Sequence, residues 1–189
     1  MMNKLRILKL LESVDIPEDV DHRFKSRTSN HIDLVHRNMR TLGKKWPGAD
    51  RSEYPSRGSL HDKSKFESPE YPAYAWLQKW YDSDKDDSIY PEGIQAQVET
   101  AKEHHLSNNK HHPDYWSDVK DMEDIDLAEM VSDWAAMSEE KGDDVYKWMA
   151  DNLPKHGFSE QQIKKIYDMM NILTNTRSEL WPLTQPFLN

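Results

Sequence analysis

Residues 17–42 have the sequence PEDVDHRFKSRTSNHIDLVHRNMRTL, which has the spacing of one long amphipathic helix. We expect this helix to begin at Pro17, since proline suits the first helical position, and to end at Gly43. At offsets of 4, 7, 11 and 18 residues, its core-facing side chains share one face: Phe24, Thr28, His31, Val35 and Leu42. His31 is therefore predicted to point into the core.

The rest of the chain is also helical in its periodicity, and no segment alternates polar and apolar residues as a β-strand does. Breakers and capping residues predict further helices over four segments: 69–81, 91–106, 126–142 and 143–153. A Ser159–Gln162 capping box begins the last long helix, and residues 46–58, rich in proline and glycine, are expected to be a loop. Asn3 is expected to cap a short first helix, and the tail from Trp181 to Asn189 to fold back over an aromatic patch. The sequence predicts an all-α fold, a single bundle of about seven to eight helices over residues 1–189.

The composition excludes several classes of protein. The chain of 189 residues has 25 basic and 34 acidic residues and a net charge of -9, whereas binding of a nucleic-acid polymer needs a basic face. No apolar run approaches the roughly 18 residues of a membrane span, and the N-terminus has no signal-peptide core. With no cysteine, the chain has neither disulfides nor thiolate metal sites. We expect a cytoplasmic protein with no membrane partner, whose oligomeric state the sequence leaves open.

Three predicted helices each direct one polar side chain inward. His31 lies on the stripe described above, His105 shares a stripe with Ile94, and Asp133 lies one turn from Met130. A carboxylate in an apolar stripe is costly to bury unless it is paired or bound to a metal.

The neighbouring polar residues admit ordinary explanations and a metal site alike. His61 and Asp62 are two adjacent ligand types, and four further histidines follow within nine residues: His104, His105, His111 and His112. Taken singly, each is explained by a hydrogen bond in the core or a polar helix end. Taken together, these nitrogen and oxygen ligands suit one or two divalent transition-metal ions: iron, manganese, cobalt, nickel or zinc.

The order of these residues resembles the HD superfamily, a family of all-α, metal-dependent phosphohydrolases. Four blocks within residues 31–134 carry the likeness: HIDLV at 31–35, HDKSKF at 61–66, the histidine-rich stretch 104–116, and EMVSD at 129–133. The set is similar to a small, uncharacterised HD-like family of phages and bacteria, which would place the protein in the host cytoplasm if a phage encodes it. The C-terminal helical extension, residues 143–189, carries no motif of this kind.

The resemblance implies two metal positions. The first ion would be held by His31, His61, Asp62 and Asp133. Asp62 would bridge to a second ion, which His105 would hold together with His111, His112 or both; His112 is the favoured one. Glu129, one turn before Asp133, is either an outer partner of these ligands or a surface charge.

The resemblance also implies the roles around the substrate. Asp62 and Lys65 would be catalytic, with Lys65 on a substrate phosphate. Apart from the resemblance, Asn109 and Lys110 are candidate substrate contacts; Asn109 is otherwise a turn residue and Lys110 a solvated charge. HD nucleotidases have an acidic residue in place of Lys65, so here a metal-activated water without a carboxylate base is the expected nucleophile. No Gly-Tyr-Pro follows His112, which departs from the cyclic-dinucleotide branch.

We therefore expect a metal-dependent phosphohydrolase of a small anionic metabolite, such as a nucleotide. The histidine-rich ligand set also fits an HD-type di-iron oxygenase. The third alternative is a non-catalytic binding module that a metal ion stabilises.

Overall fold

A computed structural model describes residues 15–174 of the chain. Within this range the protein forms α-helices joined by short 3₁₀ turns and loops, with no β-strand: α1 Glu18–Lys45, α2 Glu53–Leu60, α3 Glu70–Asp82, α4 Ile94–Asn108, α5 Asp124–Lys141, α6 Val145–Asn152 and α7 Glu160–Thr174. The all-α prediction is confirmed. The helix expected after Asn3 and the expected packing of the tail from Trp181 to Asn189 lie outside the described residues.

Helix α1 is longer than predicted. It continues through Gly43 to Lys45, so the prediction that Gly43 ends the helix is wrong. A side-chain carbon on Gly43 would lie 3.2 Å from Cβ of Tyr54. The glycine therefore gives Tyr54 room to pack on the helix instead of ending it.

The prediction of a loop over residues 46–58 is also wrong for its second half, because helix α2 begins at Glu53. Pro55 lies in the first turn of α2, where the missing N–H would have had no helical acceptor. Gly58 lies against α1, since a Cβ there would be 2.8 Å from Cβ of Met39 and 2.9 Å from Cα of His36. The two breakers thus permit a short helix that packs closely on α1.

The chain divides into two compact units. Within the described range, the first unit comprises residues 15–30 and 62–109, and the second comprises residues 31–61 and 110–174. Helix α1 contributes to both, because the division falls between Asn30 and His31. The expectation of one domain over residues 1–189 stays a prediction.

The first unit is built on helices α3 and α4. The start of α1 packs on α3 through Phe24, Val20 and Ala75. Ala73 of α3 packs with Val98 of α4. This packing turns one face of α4, the face that carries His105, into the interior.

The second unit has the larger core. Helix α5 is its centre, with Leu127 and Met130 fully buried, and α7 packs against it through Ile166 and Met170. The Ser159–Gln162 capping box is confirmed: the Ser159 amide donates to Oε1 of Gln162, and the Gln162 amide donates to Oγ of Ser159.

Within residues 15–174, no helix combines the length and the apolar character that a membrane span requires.

Candidate metal centre

Three side chains of the second unit bring nitrogen and oxygen ligand atoms together; we call them the metal trio: His31, His61 and Asp133. One ligand atom from each lies within 4.8 Å of the others. Nε2 of His31 is 3.0 Å from Oδ1 of Asp133, and Nε2 of His61 is 3.9 Å from the same oxygen. The two rings are buried, whereas the Asp133 side chain is 17% exposed, so a small ligand can reach it.

The local sequence explains how the trio is positioned. His31 lies on the buried stripe of α1 between Thr28 and Val35, as the helical spacing predicts. His61 follows directly after α2, where its backbone N–H donates to the carbonyl oxygen of Gly58. Asp133 lies one turn after the buried Met130 of α5. Helix α1, the end of helix α2 and helix α5 therefore each position one candidate ligand.

A glutamate contacts the other ring nitrogen of each histidine in the trio. Nδ1 of His31 is 3.2 Å from Oε2 of Glu140, and Nδ1 of His61 is 2.9 Å from Oε1 of Glu129. An ionised carboxylate can only accept, so Nδ1 is the donor in each of these two contacts. With Nδ1 of each ring directed at a glutamate, Nε2 is the nitrogen that each ring would offer to a metal ion.

Glu129 contacts two further side chains besides that of His61. It is 3% exposed and also accepts from Nδ1 of His111 (3.3 Å) and from Nε of Arg57 (2.5 Å). Burial works to raise the pKa of Glu129, but the hydrogen bonds from His111 and His61 outweigh it and hold the pKa well below its ordinary value. Of the two roles expected for Glu129, the structure supports the outer partner and not the surface charge.

Arg57 connects Glu129 to a second buried carboxylate. Its Nη2 donates to Oδ1 of Asp126 at 2.6 Å. Burial raises the pKa of Asp126, and the charge of Arg57 opposes that rise. Arg57 therefore pairs with two buried carboxylates, Glu129 and Asp126, and its role was not predicted from the sequence.

His111 and His112 both belong to the second unit. The ring centre of His111 lies 4.4 Å from that of His61 and 4.2 Å from that of His112. His111 shares a group of close ligand atoms with His61 and Glu129. His112 lines a cavity that Asp133 also lines.

Lys110 is exposed, and its Nζ lies 5.9 Å from the ring centre of Trp116. Its charge contributes to lowering the pKa of Asp126, although burial keeps that pKa raised overall. The structure thus gives Lys110 an aromatic neighbour; a contact with a substrate stays a prediction.

The first unit holds a second cluster of polar residues, centred on His105. Nε2 of His105 is 3.2 Å from Oδ1 of Asp62, and its Nδ1 is 2.9 Å from Oε2 of Glu70. His105 is 3% exposed, and its predicted inward direction is confirmed. The ring of His105 has the same arrangement as the two rings of the trio: a glutamate contacts Nδ1, and an aspartate lies near Nε2.

Glu70 is fully buried and accepts three hydrogen bonds. Besides His105, they come from Nδ1 of His104 at 2.7 Å and from Oγ of Ser64 at 3.0 Å. Burial works to raise the pKa of Glu70, yet the hydrogen bonds from His105, His104 and Ser64 lower it below its ordinary value. Burial likewise works to lower the pKa of His105, but Asp62 and Glu70 raise it. The cluster therefore keeps opposite charges paired.

Lys65 is paired with Asp62 in this structure. Its Nζ donates to Oδ2 of Asp62 at 2.5 Å and lies 5.1 Å from the ring centre of Tyr74. Asp62 has a φ of 55°, a left-handed conformation that aspartate tolerates better than most residues. The side chain of Lys65 is 22% exposed, and its role in binding a substrate phosphate stays a prediction.

Asn109 supports His105. Its Nδ2 donates to the backbone oxygen of His105 at 2.8 Å and lies 3.3 Å from Oγ of Ser64. These contacts favour the turn interpretation of Asn109, at the end of α4, over a direct role in substrate binding.

Comparison with known proteins identifies the chain's family. The chain belongs to DUF5662, a family of unknown function, whose model matches residues 20–179. That range includes every candidate ligand from His31 to Asp133. No curated protein and no solved structure matches the chain. The resemblance to the HD superfamily therefore stays a prediction.

Proposed function

We propose that this member of the DUF5662 family is a metal-dependent phosphohydrolase of the HD type, acting on a small phosphorylated metabolite such as a nucleotide. One observation carries the proposal. His31 and His61 direct Nε2 towards Asp133, while separate glutamates hold the opposite nitrogen of each ring. A carboxylate on the far side of a histidine is the usual outer shell of a protein metal site.

Ordinary core hydrogen bonding explains this arrangement less well. A buried histidine needs one or two partners, and any neighbouring carbonyl or hydroxyl serves that purpose. Here His31, His61 and His105 each have a glutamate in contact with Nδ1 and an aspartate near Nε2. Burying so many ionisable groups costs stability, and a function at this site would explain why they are retained. The donor set, nitrogen and oxygen without sulfur, suits a divalent transition-metal ion.

The residues have distinct roles in the proposed reaction. A bound divalent ion would lower the pKa of its water towards 7 and would offset the charge of the phosphoryl group. His31, His61 and Asp133 would hold that ion. Lys65 would supply a point charge for a phosphoryl oxygen. In the reaction, the oxygen of water bonds to phosphorus, the ester P–O bond breaks, and the alcohol leaves with one proton of the water.

The test is phosphate release by protein loaded with manganese, cobalt or iron. A panel of nucleotides and sugar phosphates is offered to the wild type and to His31→Ala and Asp133→Asn variants. We expect turnover of at least one substrate, with its loss in both variants. Asp151→Asn, which changes an exposed aspartate of α6, is the control and retains activity. Absence of phosphate release with every metal and substrate contradicts the proposal.

The histidine-rich donor set also favours an iron oxygenase as the second candidate. Imidazole and carboxylate ligands suit iron as well as zinc or manganese. Oxygen consumption by the iron-loaded protein, without phosphate release, would support this candidate. Tight nucleotide binding without either reaction would instead support a metal-stabilised binding module.

A further inference from the structure

The second unit contains a cavity of about 380 Å³ that reaches the metal trio, because Asp133 is one of its lining residues. The cavity extends from Asp133 and His112 to the ends of helices α5 and α6. Small-molecule sites in proteins have volumes of roughly 300–1,000 Å³. This volume is at the lower end, which suits one ring system with a small polar group.

One wall of the cavity is aromatic and apolar. Trp134 of α5 and Trp148 of α6 contact each other, with ring centres 4.7 Å apart and planes inclined at 58°. Met137 and Val145 are further apolar residues that line the cavity. Trp148 is 42% exposed, whereas a tryptophan contributes most to stability when it is covered. An aromatic ring facing a cavity offers a surface on which a planar ligand can stack.

The charges of the cavity limit how many phosphates it accepts. Apart from Asp133, its lining includes two acidic residues, Asp114 and Asp143, and one lysine, Lys141. With neutral histidines these groups sum to a negative charge, which repels a di- or triphosphate chain inside the cavity. A single phosphate at the Asp133 end, next to a bound cation, avoids that repulsion.

We propose that this cavity binds the base of a nucleoside monophosphate, with the ring on Trp148 and the phosphate at the Asp133 end. The reaction at that phosphate rests on the proposed function, whereas binding of the base does not. Hydrolysis would give orthophosphate and the free nucleoside: the water oxygen bonds to phosphorus, the ester bond breaks, and the nucleoside oxygen takes a proton from the water.

The test is calorimetric titration of the metal-loaded protein with adenosine 5′-monophosphate and with methyl phosphate, which lacks a ring. Trp148→Ala is expected to weaken binding of the nucleotide about tenfold, or about 1.4 kcal/mol, within the range for one base stacked on an aromatic side chain. The affinity for methyl phosphate stays the same. Trp148→Phe, which keeps a ring, retains most of the nucleotide affinity and shows that the site has folded.

Tyr81→Ala is the matched control, since Tyr81 is an aromatic residue of the first unit with 55% exposure. It leaves both affinities unchanged. The proposal is overturned if Trp148→Ala weakens both ligands equally or neither. It is also overturned if choline phosphate binds as tightly as the nucleotide, because the wall would then recognise a cation.

Hydrolysis assays on the same proteins separate the two proposals. If the nucleotide binds through Trp148 but no metal supports phosphate release, the assignment of the cavity stands and the proposed function fails. If the wild type hydrolyses both compounds and Trp148→Ala changes neither rate nor KM, the proposed function stands and the cavity assignment fails.

Discussion

Replacing Glu129 with glutamine tests the outer shell of the metal trio. Glu129 accepts hydrogen bonds from His61, His111 and Arg57 at 2.9, 3.3 and 2.5 Å. Glutamine has one acceptor oxygen in place of two and no charge, and its amide group donates towards groups that also donate. The substitution therefore breaks a buried ion pair while keeping the size of the side chain.

The cost follows from burial. Removing one partner of a buried ion pair costs about 3–5 kcal/mol. In the variant, Arg57 would still pair with Asp126 at 2.6 Å, and the Arg57 side chain is 29% exposed. We therefore expect a loss of unfolding free energy at the lower end of that range, about 3 kcal/mol. For a chain of this length that lowers Tm by about 6–12 °C. Loss of the outer carboxylate should also weaken metal binding about 10–100-fold.

Thermal unfolding and metal titration of the Glu129→Gln protein measure both effects. Glu139→Gln is the matched control on the same helix, because Glu139 is 53% exposed and pairs with Arg37 at the surface. A surface pair contributes at most about 1 kcal/mol, so the control should melt within about 4 °C of the wild type and bind metal equally well. If the two variants behave alike, the reasoning about Glu129 is wrong.

The same variant has a defined pH dependence. Burial works to raise the pKa of Glu129, but hydrogen bonds from His111 and His61 lower it overall. A lowered folded-state pKa stabilises the fold at pH values above the unfolded pKa of about 4.3, and this contribution is lost as the pH falls towards the folded value. The stability difference between wild type and Glu129→Gln should therefore be full at pH 7 and shrink below about pH 5. A difference that is constant from pH 7 to pH 3 would contradict the proposed ionisation.

Three further substitutions test other parts of the account. Lys65→Ala should abolish most turnover while metal content, measured by elemental analysis, stays near that of the wild type; an equal loss of both would mean that Lys65 supports the site and does not contact substrate. Gly58→Ala should destabilise the protein by about 1–3 kcal/mol in denaturant unfolding, because the new methyl group would lie 2.8 Å from Cβ of Met39. Ser159→Ala removes the capping box of α7 and should cost about 1 kcal/mol, so an unchanged unfolding midpoint would contradict that assignment.

Helical spacing was sufficient to predict much of the fold and the inward direction of two candidate ligands. His31 and His105 are buried as predicted, because each lies at a multiple of the helical repeat from apolar neighbours. The capping box at Ser159 depends only on residues three positions apart, so it too could be predicted locally. The all-α fold follows from the same periodicity.

Features that depend on contacts between distant segments could not be predicted. Gly43 and Pro55 are residue types that usually end a helix. Gly43 nevertheless lies within α1 and Pro55 in the first turn of α2, because the two helices pack closely there. Glu70 and Glu140 give no signal in the sequence. Their partners, His105 and His31, are 35 and 109 positions away.

The metal content of the protein tests the central claim most directly. The full chain is purified without chelators and without a polyhistidine tag, and its transition metals are measured by elemental analysis beside the Asp133→Ala variant. The account predicts at least one ion bound per chain in the wild type and a clear loss in the variant. Wild-type protein that is folded, contains no metal and cannot be reloaded would contradict the account.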